Sequence, residues 1–268
     1  MNLLVTINSN YINPLKVMLN SLVLNNPGES FTIYLIHSGL KREETDDLSG
    51  FAQRKGQRLI PLEISQEQFR DAPEVLHYPK EMYYRLLAFQ VLPPQLERIL
   101  YLDPDILVLN PVRALYELPL EENLYAAAYH EISSISEINK IRLSSYDMEA
   151  YFNSGVLLMN LELQRNNVKP GEIFSFVEQH RKQLILPDQD ILNALYAKRI
   201  KALDEKSYNY DARYYQFYRL GSGGLFDMGY ILRHTVFLHF CGKKKPWKKD
   251  YNGRFESLYK HYEKLALG

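Results

Sequence analysis

The sequence predicts an α/β fold, in which a mixed β-sheet carries helices on both of its faces. Short apolar segments alternate with helix-like segments through the first half of the chain, a pattern typical of strand–helix–strand units. The apolar segments are continuous runs, so both faces of the sheet are expected to be buried. A chain of 268 residues with 46% hydrophobic residues is large enough for one such domain.

The first half provides its elements in a regular order. Asn2–Asn8 is predicted to be a buried strand, and a helix then opens with Asn13 as its N-cap and Pro14 at its first position. This helix is expected to end near Asn25, before Pro27. The later strands are predicted at Phe31–His37, Arg58–Ile64 and Arg98–Leu102, and the later helices at Glu43–Lys55 and Glu81–Val91.

The second half is less regular, and a basic, aromatic segment ends the chain. Residues 243–268 are predicted to be appended to a folded unit of residues 1–242. Such a segment favours peripheral contact with an anionic membrane, although a solvated helix packed by its aromatic side chains gives the same pattern. Within residues 111–242, strands are predicted at Leu124–Tyr129, Gly155–Leu161 and Thr235–Phe240, and helices at Gly171–Gln183 and Pro187–Lys198.

The amino-acid composition indicates which classes of binding partner and which cellular compartment to expect. The 32 basic and 32 acidic residues cancel, which argues against nucleic acid, because phosphate backbones select clustered positive charge. A single cysteine, Cys241, excludes an internal disulfide and favours a reducing cytoplasm. Neither a signal-peptide pattern nor a run of about 18 apolar residues is present. We therefore expect a cytoplasmic protein that contacts the inner face of the cell membrane at most peripherally.

Two acidic residues directly follow a predicted strand. Asp103 and Asp105 flank Pro104 after the apolar run Ile99–Leu102. Residues two apart in an extended segment face the same side, so both carboxylates are expected to converge at the strand's C-terminal end, where ligands bind in α/β sheets. Two carboxylates suit Mg²⁺ or Mn²⁺. The alternative is a solvated turn that contains two acids.

Further candidates lie at the end of the predicted strand Thr235–Phe240. His239 could supply an imidazole to a divalent metal ion, while Gly242 would let the backbone approach a phosphate closely. Lys245 could neutralise a diphosphate. The alternatives are a core histidine held by hydrogen bonds and a basic face exposed to solvent.

Polar residues at two other places are candidates for contact with a sugar. Asn153 and Ser154 open a predicted strand, and Asp188, Gln189 and Asp190 lie at the start of a predicted helix. Asparagine and carboxylate side chains can bond sugar hydroxyls, and an amide near the reacting carbon would fit. In the structural alternative, Asp188 is simply the N-cap of its helix.

The loop after the first predicted strand could bind a nucleobase. Asn8, Asn10 and Tyr11 could stack on a base and bond its edge, although an ordinary strand–helix turn gives the same pattern. Arg85, in a helix with aromatic neighbours, could clamp phosphate or sugar, or pair with a surface acid. The glycine-rich segment 221–224 follows no apolar strand, so we interpret it as a flexible loop.

Taken together, these segments resemble the family 8 retaining glycosyltransferases, which include bacterial lipopolysaccharide galactosyl- and glucosyltransferases and glycogenin. The matching segments follow the order of that family and span nearly all of the chain. They are Asn10-Tyr11, Tyr84-Arg85-Leu86, Leu100–Asp105, Phe152–Asn160, Pro187–Asp190 and His239–Trp247.

The resemblance implies a GT-A fold, with a Rossmann-like nucleotide-binding half at residues 1–110 and an acceptor-binding half at residues 111–242. It implies a retaining transfer of glucose or galactose from a UDP-sugar, Mn²⁺ as the usual metal with Mg²⁺ as the alternative, and a glycan or lipid-linked acceptor in cell-surface polysaccharide synthesis. This chain has Asn8 where the family often has Asp, so the hydrogen-bond donors and acceptors offered to a uracil edge differ. By the same resemblance, Asp103, Asp105 and His239 bind the metal, and Pro104 lies between the two acids of this DXD motif. Asn10 and Tyr11 contact the uridine, and Gly242 and Lys245 contact the diphosphate. The residues implied to contact the donor sugar are Arg85, Asn153, Ser154, Asp188 and Gln189.

The catalytic candidates under this resemblance are Asp188, Gln189 and Asp190. Gln189 matches the residue nearest the reacting face, and Asp190 points about 100° away around the helix. Since an amide is a poor nucleophile, we favour a front-face, ion-pair-like displacement in which Gln189 stabilises positive charge. Two other functions stay open: a non-catalytic interaction protein on the same scaffold, and a sugar nucleotidyltransferase. The latter usually has an N-terminal glycine-rich loop, but Gly28 is the only glycine in the first 30 residues here.

Overall fold

The central feature of the structure is a seven-stranded mixed sheet. The computed structural model describes residues 1–64, 73, 83–129 and 150–268. In this part of the chain the strands are β1 (Asn2–Thr6), β2 (Thr32–His37), β3 (Arg58–Glu63), β4 (Arg98–Leu102), β5 (Ile106–Val108), β6 (Tyr125–Ala128), β7 (Val156–Asn160), β8 (Ile200–Leu203), β9 (Tyr210–Asp211) and β10 (Phe237–His239).

The sheet order confirms the predicted mixed topology. The large sheet runs β3-β2-β1-β4-β7-β6-β8, and β5-β10-β9 form a smaller sheet. Strands β1 to β4 are mutually parallel, whereas β7 lies antiparallel between β4 and β6. The carboxyl ends of β1 and β4 therefore open side by side, next to the smaller sheet.

Helices cover both faces of the large sheet. Leu3 of β1 packs in one apolar cluster, and its neighbour Leu4 packs in another on the opposite face. This burial of both faces explains why the strands are continuous apolar runs. The described helices are α1 (Ile12–Leu24), α2 (Arg42–Arg54), α3 (Tyr84–Leu87), α4 (Arg113–Tyr116), α5 (Leu161–Asn167), α6 (Pro170–His180), α7 (Pro187–Tyr196), α8 (Glu205–Tyr208), α9 (Tyr215–Gly221), α10 (Met228–His234) and α11 (Glu256–Leu267), with 3₁₀ turns at Ser9–Tyr11, Ala88–Gln90, Ala197–Arg199 and Ala212–Tyr214.

The start of α1 differs from the prediction. Asn13 lies inside the first turn of α1 instead of capping it, because the 3₁₀ turn Ser9–Tyr11 leads directly into the helix. The capping residue is Asn8, whose side chain accepts a hydrogen bond from the backbone N of Asn10 at 3.0 Å. The predicted helix Glu81–Val91 begins outside the described residues.

The C-terminal helix α11 packs across α1. Phe255 and Tyr259 are almost fully buried in a third apolar cluster. Asn25, which follows α1, donates from its side chain to the Tyr262 hydroxyl at 2.9 Å. These contacts join the two ends of the chain. None of the helices in the described ranges is both long and apolar enough to cross a bilayer.

Candidate active site

Three side chains of the metal-binding type meet in the connection between β4 and β5. Asp103 and Asp105 lie in this connection, and the antiparallel pairing of β5 with β10 places His239 opposite Ile106. The His239 Nε2 atom is 3.2 Å from Asp105 Oδ1 and 3.7 Å from Asp103 Oδ2. One ligand atom from each of the three residues lies within 4.8 Å of the others. The structure thus brings together the three residues that the sequence predicts as metal ligands.

Asn209 determines which nitrogen of His239 faces the acids. It is 1% exposed, and its Oδ1 accepts a hydrogen bond from His239 Nδ1 at 2.8 Å. Because Nδ1 donates this hydrogen bond, the lone pair of a neutral imidazole lies on Nε2, toward Asp103 and Asp105. Sequence reasoning missed Asn209, which carries no local signal beyond its place just before β9.

Gly155 provides the space that two of these side chains occupy. Its carbonyl accepts a hydrogen bond from Asp103 N at 2.8 Å, so its backbone lies directly against the acidic connection. A Cβ atom at this position would stand 2.4 Å from His239 Cε1 and 2.7 Å from Asp103 Oδ2. Any side chain here would displace both, so the site requires glycine. The glycine belongs to a matched segment, but its role follows only from the coordinates.

Lys245 forms an ion pair with Asp105 on the other side of the site. Its Nζ donates to Asp105 Oδ2 and, at 2.9 Å, to the carbonyl of Phe240. Burial alone would raise the pKa of the Asp105 carboxyl, but His239 and Lys245 outweigh burial and hold this pKa below its usual value. Asp105 is therefore ionised at neutral pH, as a metal ligand must be.

Arg85 links the acidic connection to the start of α7. Its Nη1 lies 3.2 Å from Asp103 Oδ1 and 3.0 Å from Asp188 Oδ2. Burial would lower the pKa of this guanidinium, but Asp103 and its neighbours raise the pKa above its usual value, so Arg85 stays charged. Its cationic group lies 4.6 Å from the ring centroid of Tyr101, whose hydroxyl donates to Asp103 Oδ1 at 2.5 Å. The surface-pair alternative for Arg85 is therefore wrong.

The predicted sugar-binding residues form one hydrogen-bonded group. Ser154 Oγ donates to Asp188 Oδ2 at 2.8 Å, and Ser154 N donates to Gln189 Oε1 at 3.3 Å. Gln189 and Ser154 are buried beside Arg85. Leu186, not Asp188, is the N-cap residue of α7, so the capping alternative for Asp188 is also wrong.

Asp190 is fully buried and stabilises the start of α7. Its Oδ1 accepts from the Tyr151 hydroxyl at 2.5 Å, and its Oδ2 accepts from the backbone N atoms of Ile185 and Leu186 at 2.8 and 3.0 Å. Asp190 rather than Asp188 thus satisfies the backbone donors around the beginning of this helix. The geometry favours a structural role for Asp190, and its predicted contact with a sugar stays a prediction.

Asn193, which sequence reasoning missed, attaches the segment of Asn153 to α7. Its side chain donates to the carbonyl of Phe152 at 2.7 Å and accepts from the Phe152 N at 2.6 Å. Asn153 itself accepts from Gly155 N at 2.7 Å, which fixes the turn that carries Ser154. The available signal was a polar residue inside the apolar stretch Ile191–Leu195.

The predicted nucleobase loop lies beside the C-terminal segment. The Tyr11 ring packs edge-on against Trp247, with centroids 5.7 Å apart. Burial raises the pKa of the Tyr11 hydroxyl, and nearby Lys245 opposes that shift. Asn8 and Asn10 are exposed. Because one lone pair of the Asn8 oxygen caps the 3₁₀ turn, a contact from Asn8 to a base would use its amide nitrogen or its second oxygen lone pair.

Gly242 adopts a left-handed conformation between His239 and Lys245. Its φ is +85°, which a residue with a side chain rarely adopts. Arg213 lies behind it, with Nη1 3.0 Å from the place of a Cβ atom. The guanidinium of Arg213 is held at 2.6 Å by the fully buried Asp211. The predicted diphosphate loop is thus shaped by its backbone and supported by a fixed cation.

Comparisons with known proteins match nearly the whole chain. A family model described as "Glycosyl transferase family 8" matches residues 2–251. The lipopolysaccharide 1,2-glucosyltransferase of Escherichia coli is 30% identical over 250 residues, covering 90% of this chain and 71% of the relative. General stress protein A of Bacillus subtilis (strain 168) is 26% identical, covering 94% and 89%. The lipopolysaccharide 1,3-galactosyltransferase of Salmonella typhimurium is 23% identical, covering 92% and 72%.

A solved structure shows the same fold. The galactosyltransferase LgtC, crystallised in complex with donor and acceptor sugar analogues, superposes with a TM-score of 0.83 at 22% identity. The match covers 100% of this chain and 97% of LgtC. The predicted GT-A architecture is therefore confirmed.

Proposed function

Because the chain belongs to glycosyl transferase family 8, we propose that it transfers a hexose from a UDP-sugar to a glycan or lipid-linked acceptor in a metal-dependent reaction. The observation that carries this proposal is the meeting of Asp103, Asp105 and His239 beside the amine of Lys245. Such a group suits a metal-bound diphosphate, because it offers metal ligands and a separate cation together. The relatives named as glucosyl- and galactosyltransferases support a hexose as the transferred group.

The three ligands fit a divalent cation of the Mn²⁺ type. Two carboxylates and one imidazole form a mixed oxygen and nitrogen set, which suits Mn²⁺ and also admits Mg²⁺. The hydrogen bond from His239 to Asn209 is the kind of support that orients metal-binding histidines. Asp103, Asp105 and His239 would hold the ion, which would stabilise negative charge on the diphosphate as a Lewis acid.

Lys245 and Gly242 are the chain's own donors to the diphosphate in this proposal. The carbonyl of Phe240 and the carboxylate of Asp105 fix the Lys245 amine before any substrate binds. Gly242 has a left-handed conformation and no side chain of its own, which lets its backbone approach a phosphate closely. A donor that is already in place needs no reorganisation when the leaving group gains charge, and losing one typically lowers a rate on the order of 10²–10³-fold.

Arg85, Ser154, Asp188 and Gln189 would bind the donor sugar. Their mutual contacts leave each side chain with a fixed position in a buried group. The Gln189 oxygen accepts one hydrogen bond from Ser154 N and has a second lone pair. We propose that this oxygen stabilises positive charge on the sugar during a front-face displacement with retention.

The proposed acceptor is a glycan of the kind that the relatives' names indicate. Relatives that act on lipopolysaccharide favour a glycan or a lipid-linked glycan in cell-surface polysaccharide synthesis. Glucose and galactose differ at one hydroxyl, and the relatives include transferases of both sugars. UDP-glucose and UDP-galactose are therefore both tested as donors in the first assay.

The direct test is UDP release from a panel of UDP-sugars in the presence of Mn²⁺. We expect hydrolysis of UDP-glucose or UDP-galactose that chelator removes and that Asp103→Asn lowers by at least about 10²-fold. The matched control is Asp46→Asn, since the Asp46 side chain is 71% exposed on α2. Full turnover in chelator, or in Asp103→Asn, would contradict the metal assignment. No turnover with any UDP-sugar and acceptor would contradict the donor class.

A further inference from the structure

The segment of residues 215–234, which contains α9 and α10 (the α9–α10 segment), exposes several large apolar side chains. Nine large hydrophobic residues are exposed in the described ranges, and four of them lie between positions 217 and 232. Leu220 is 76% exposed, Leu225 64%, Phe217 54% and Leu232 47%. Isolated surface leucines are normal, whereas a concentration of this kind marks an interaction surface.

The local structure of α9 explains this exposure. Tyr215 and Tyr218 are buried on one side of the helix. At 3.6 residues per turn, Phe217 and Leu220 lie on the opposite side, so the outer face of α9 is apolar. A surface helix normally places polar residues there. The tyrosines already anchor the helix, so fold stability does not account for the outer residues.

A tight helix-ending turn adds Leu225 to the same region. Gly224 N donates to Arg219 O at 2.8 Å and Gly223 N donates to Leu220 O at 3.1 Å, the pair of bonds that defines a Schellman motif. Both glycines have positive φ, at +62° and +96°. The glycine-rich segment predicted as a flexible loop is therefore a defined turn, and Leu225 follows it directly.

Positive charge lies beside this apolar surface. Residues 212–226 contain no acidic residue, and their two arginines are Arg219 and Arg213, of which Arg213 is paired with the buried Asp211. The cleft next to α9 is lined by Gln216 of that helix and by Lys243, Lys244 and Arg254. Among the described residues, no carboxylate lines this cleft. An apolar surface next to cations complements an anionic bilayer, because apolar side chains bury in the acyl region and cations pair with the anionic headgroups.

The aromatic residues of the C-terminal segment are engaged inside the protein. Phe255 and Tyr259 are buried, and Trp247 packs between Tyr11 and Tyr259. These rings therefore cannot insert into a membrane while the site stays folded. The C-terminal segment contributes lysines to the surface, and the α9–α10 segment contributes the apolar groups.

We propose that the exposed apolar side chains of the α9–α10 segment form a membrane-binding surface for anionic bilayers. Phe217, Leu220 and Leu225 enter the headgroup region, and Lys243 and Lys244 pair with lipid phosphates. A bilayer is favoured over a second copy of the chain, because two copies would bring these cations against each other. Binding is independent of the proposed function. If that function holds, the bilayer lies beside Gly242, within reach of a lipid-linked acceptor.

The test is co-sedimentation of the full chain with vesicles of phosphatidylcholine alone or with added phosphatidylglycerol. We expect binding to the anionic vesicles that the triple variant Phe217→Gln, Leu220→Gln, Leu225→Gln lowers on the order of tenfold or more. Lys243→Gln with Lys244→Gln should remove the dependence on phosphatidylglycerol. The matched control is Leu265→Gln with Leu267→Gln, which are exposed on α11; this control should bind like the parent chain.

Several outcomes would overturn the proposal. The proposal is wrong if the parent chain does not bind anionic vesicles or if the triple variant binds them as well as the parent chain does. It is also wrong if the α11 control loses as much binding as the triple variant. A dimer of the parent chain in solution that the triple variant dissociates would assign the surface to self-association instead. Thermal unfolding of each variant shows that it is folded. Since no outcome depends on UDP release, failure of this proposal is distinct from failure of the proposed function.

Discussion

Replacement of Gly155 by alanine would test whether the three candidate ligands act as one site. The added Cβ atom would lie 2.4 Å from His239 Cε1, 2.7 Å from Asp103 Oδ2 and 3.0 Å from Asn153 Oδ1. Non-bonded carbon atoms are most stable about 3.5–4.0 Å apart, so the imidazole must retreat by about 1 Å. The Gly155 backbone cannot move away instead, because it is hydrogen-bonded to both Asp103 and Asn153.

The expected losses of turnover and of metal affinity follow from this displacement of the imidazole. A misplacement of about 1 Å in a reacting site lowers a rate on the order of 10²-fold. Disturbing the support of a metal ligand lowers metal affinity by about 10–100-fold. Overpacking of this kind destabilises a protein by about 1–3 kcal/mol, which a domain of this size tolerates. We therefore expect a folded variant that binds Mn²⁺ weakly and releases UDP slowly.

The assay pairs Mn²⁺ binding by calorimetry with UDP release, each compared with thermal unfolding. Gly171→Ala is the matched control, since Gly171 lies in the first turn of α6 and its Cβ atom would have no neighbour within 4 Å. That control should keep parental binding and turnover. Parental Mn²⁺ affinity and turnover in Gly155→Ala would refute the assignment of Asp103 and His239 to one metal site.

Three further substitutions separate the roles of individual residues. Asn209→Ala should lower Mn²⁺ affinity by about 10–100-fold in calorimetry, because His239 Nδ1 loses its acceptor; unchanged affinity would show that Asn209 does not orient the ring. Lys245→Met should lower kcat for UDP release on the order of 10²–10³-fold while Mn²⁺ still binds. If this variant instead fails to bind Mn²⁺, the role of Lys245 is to hold Asp105 in place. Gln189→Ala should lower kcat more than it raises KM, and near-normal kcat would count against charge stabilisation by its amide.

Much of the site could be predicted, because its residues follow strands. The position after a strand predicted that Asp103 and Asp105 converge, as they do, but Pro104 and Asp105 form a turn and not the extended segment on which that prediction relied. The end of a strand placed His239 beside them. The short strand β5 was missed, since three apolar residues after an acidic turn give no periodic signal. Its pairing with β10, more than 120 residues later, is what brings the imidazole to the acids.

The supporting polar residues could not be predicted from local pattern. Asp188 and Asp190 both lie in the first turn of α7 and both resemble capping residues. Only the tertiary contacts show that Asp188 pairs with Arg85 while Asp190 accepts from the backbone at the start of the helix. Asn209 and Asn193 likewise act through partners distant in the chain. Local sequence specifies a polar side chain, and long-range packing specifies its partner.

The late position of β10 has a consequence for synthesis of the protein on the ribosome. Every strand of the large sheet has been made once Leu203 is in place, yet His239 and Lys245 follow only some 40 residues later. The nascent chain can therefore collapse around its central sheet before the imidazole and the amine leave the exit tunnel. A translation product that stops between these points would carry the two acids without the imidazole and the amine that face them. The candidate metal site is thus completed only after every strand of the central sheet has been synthesised.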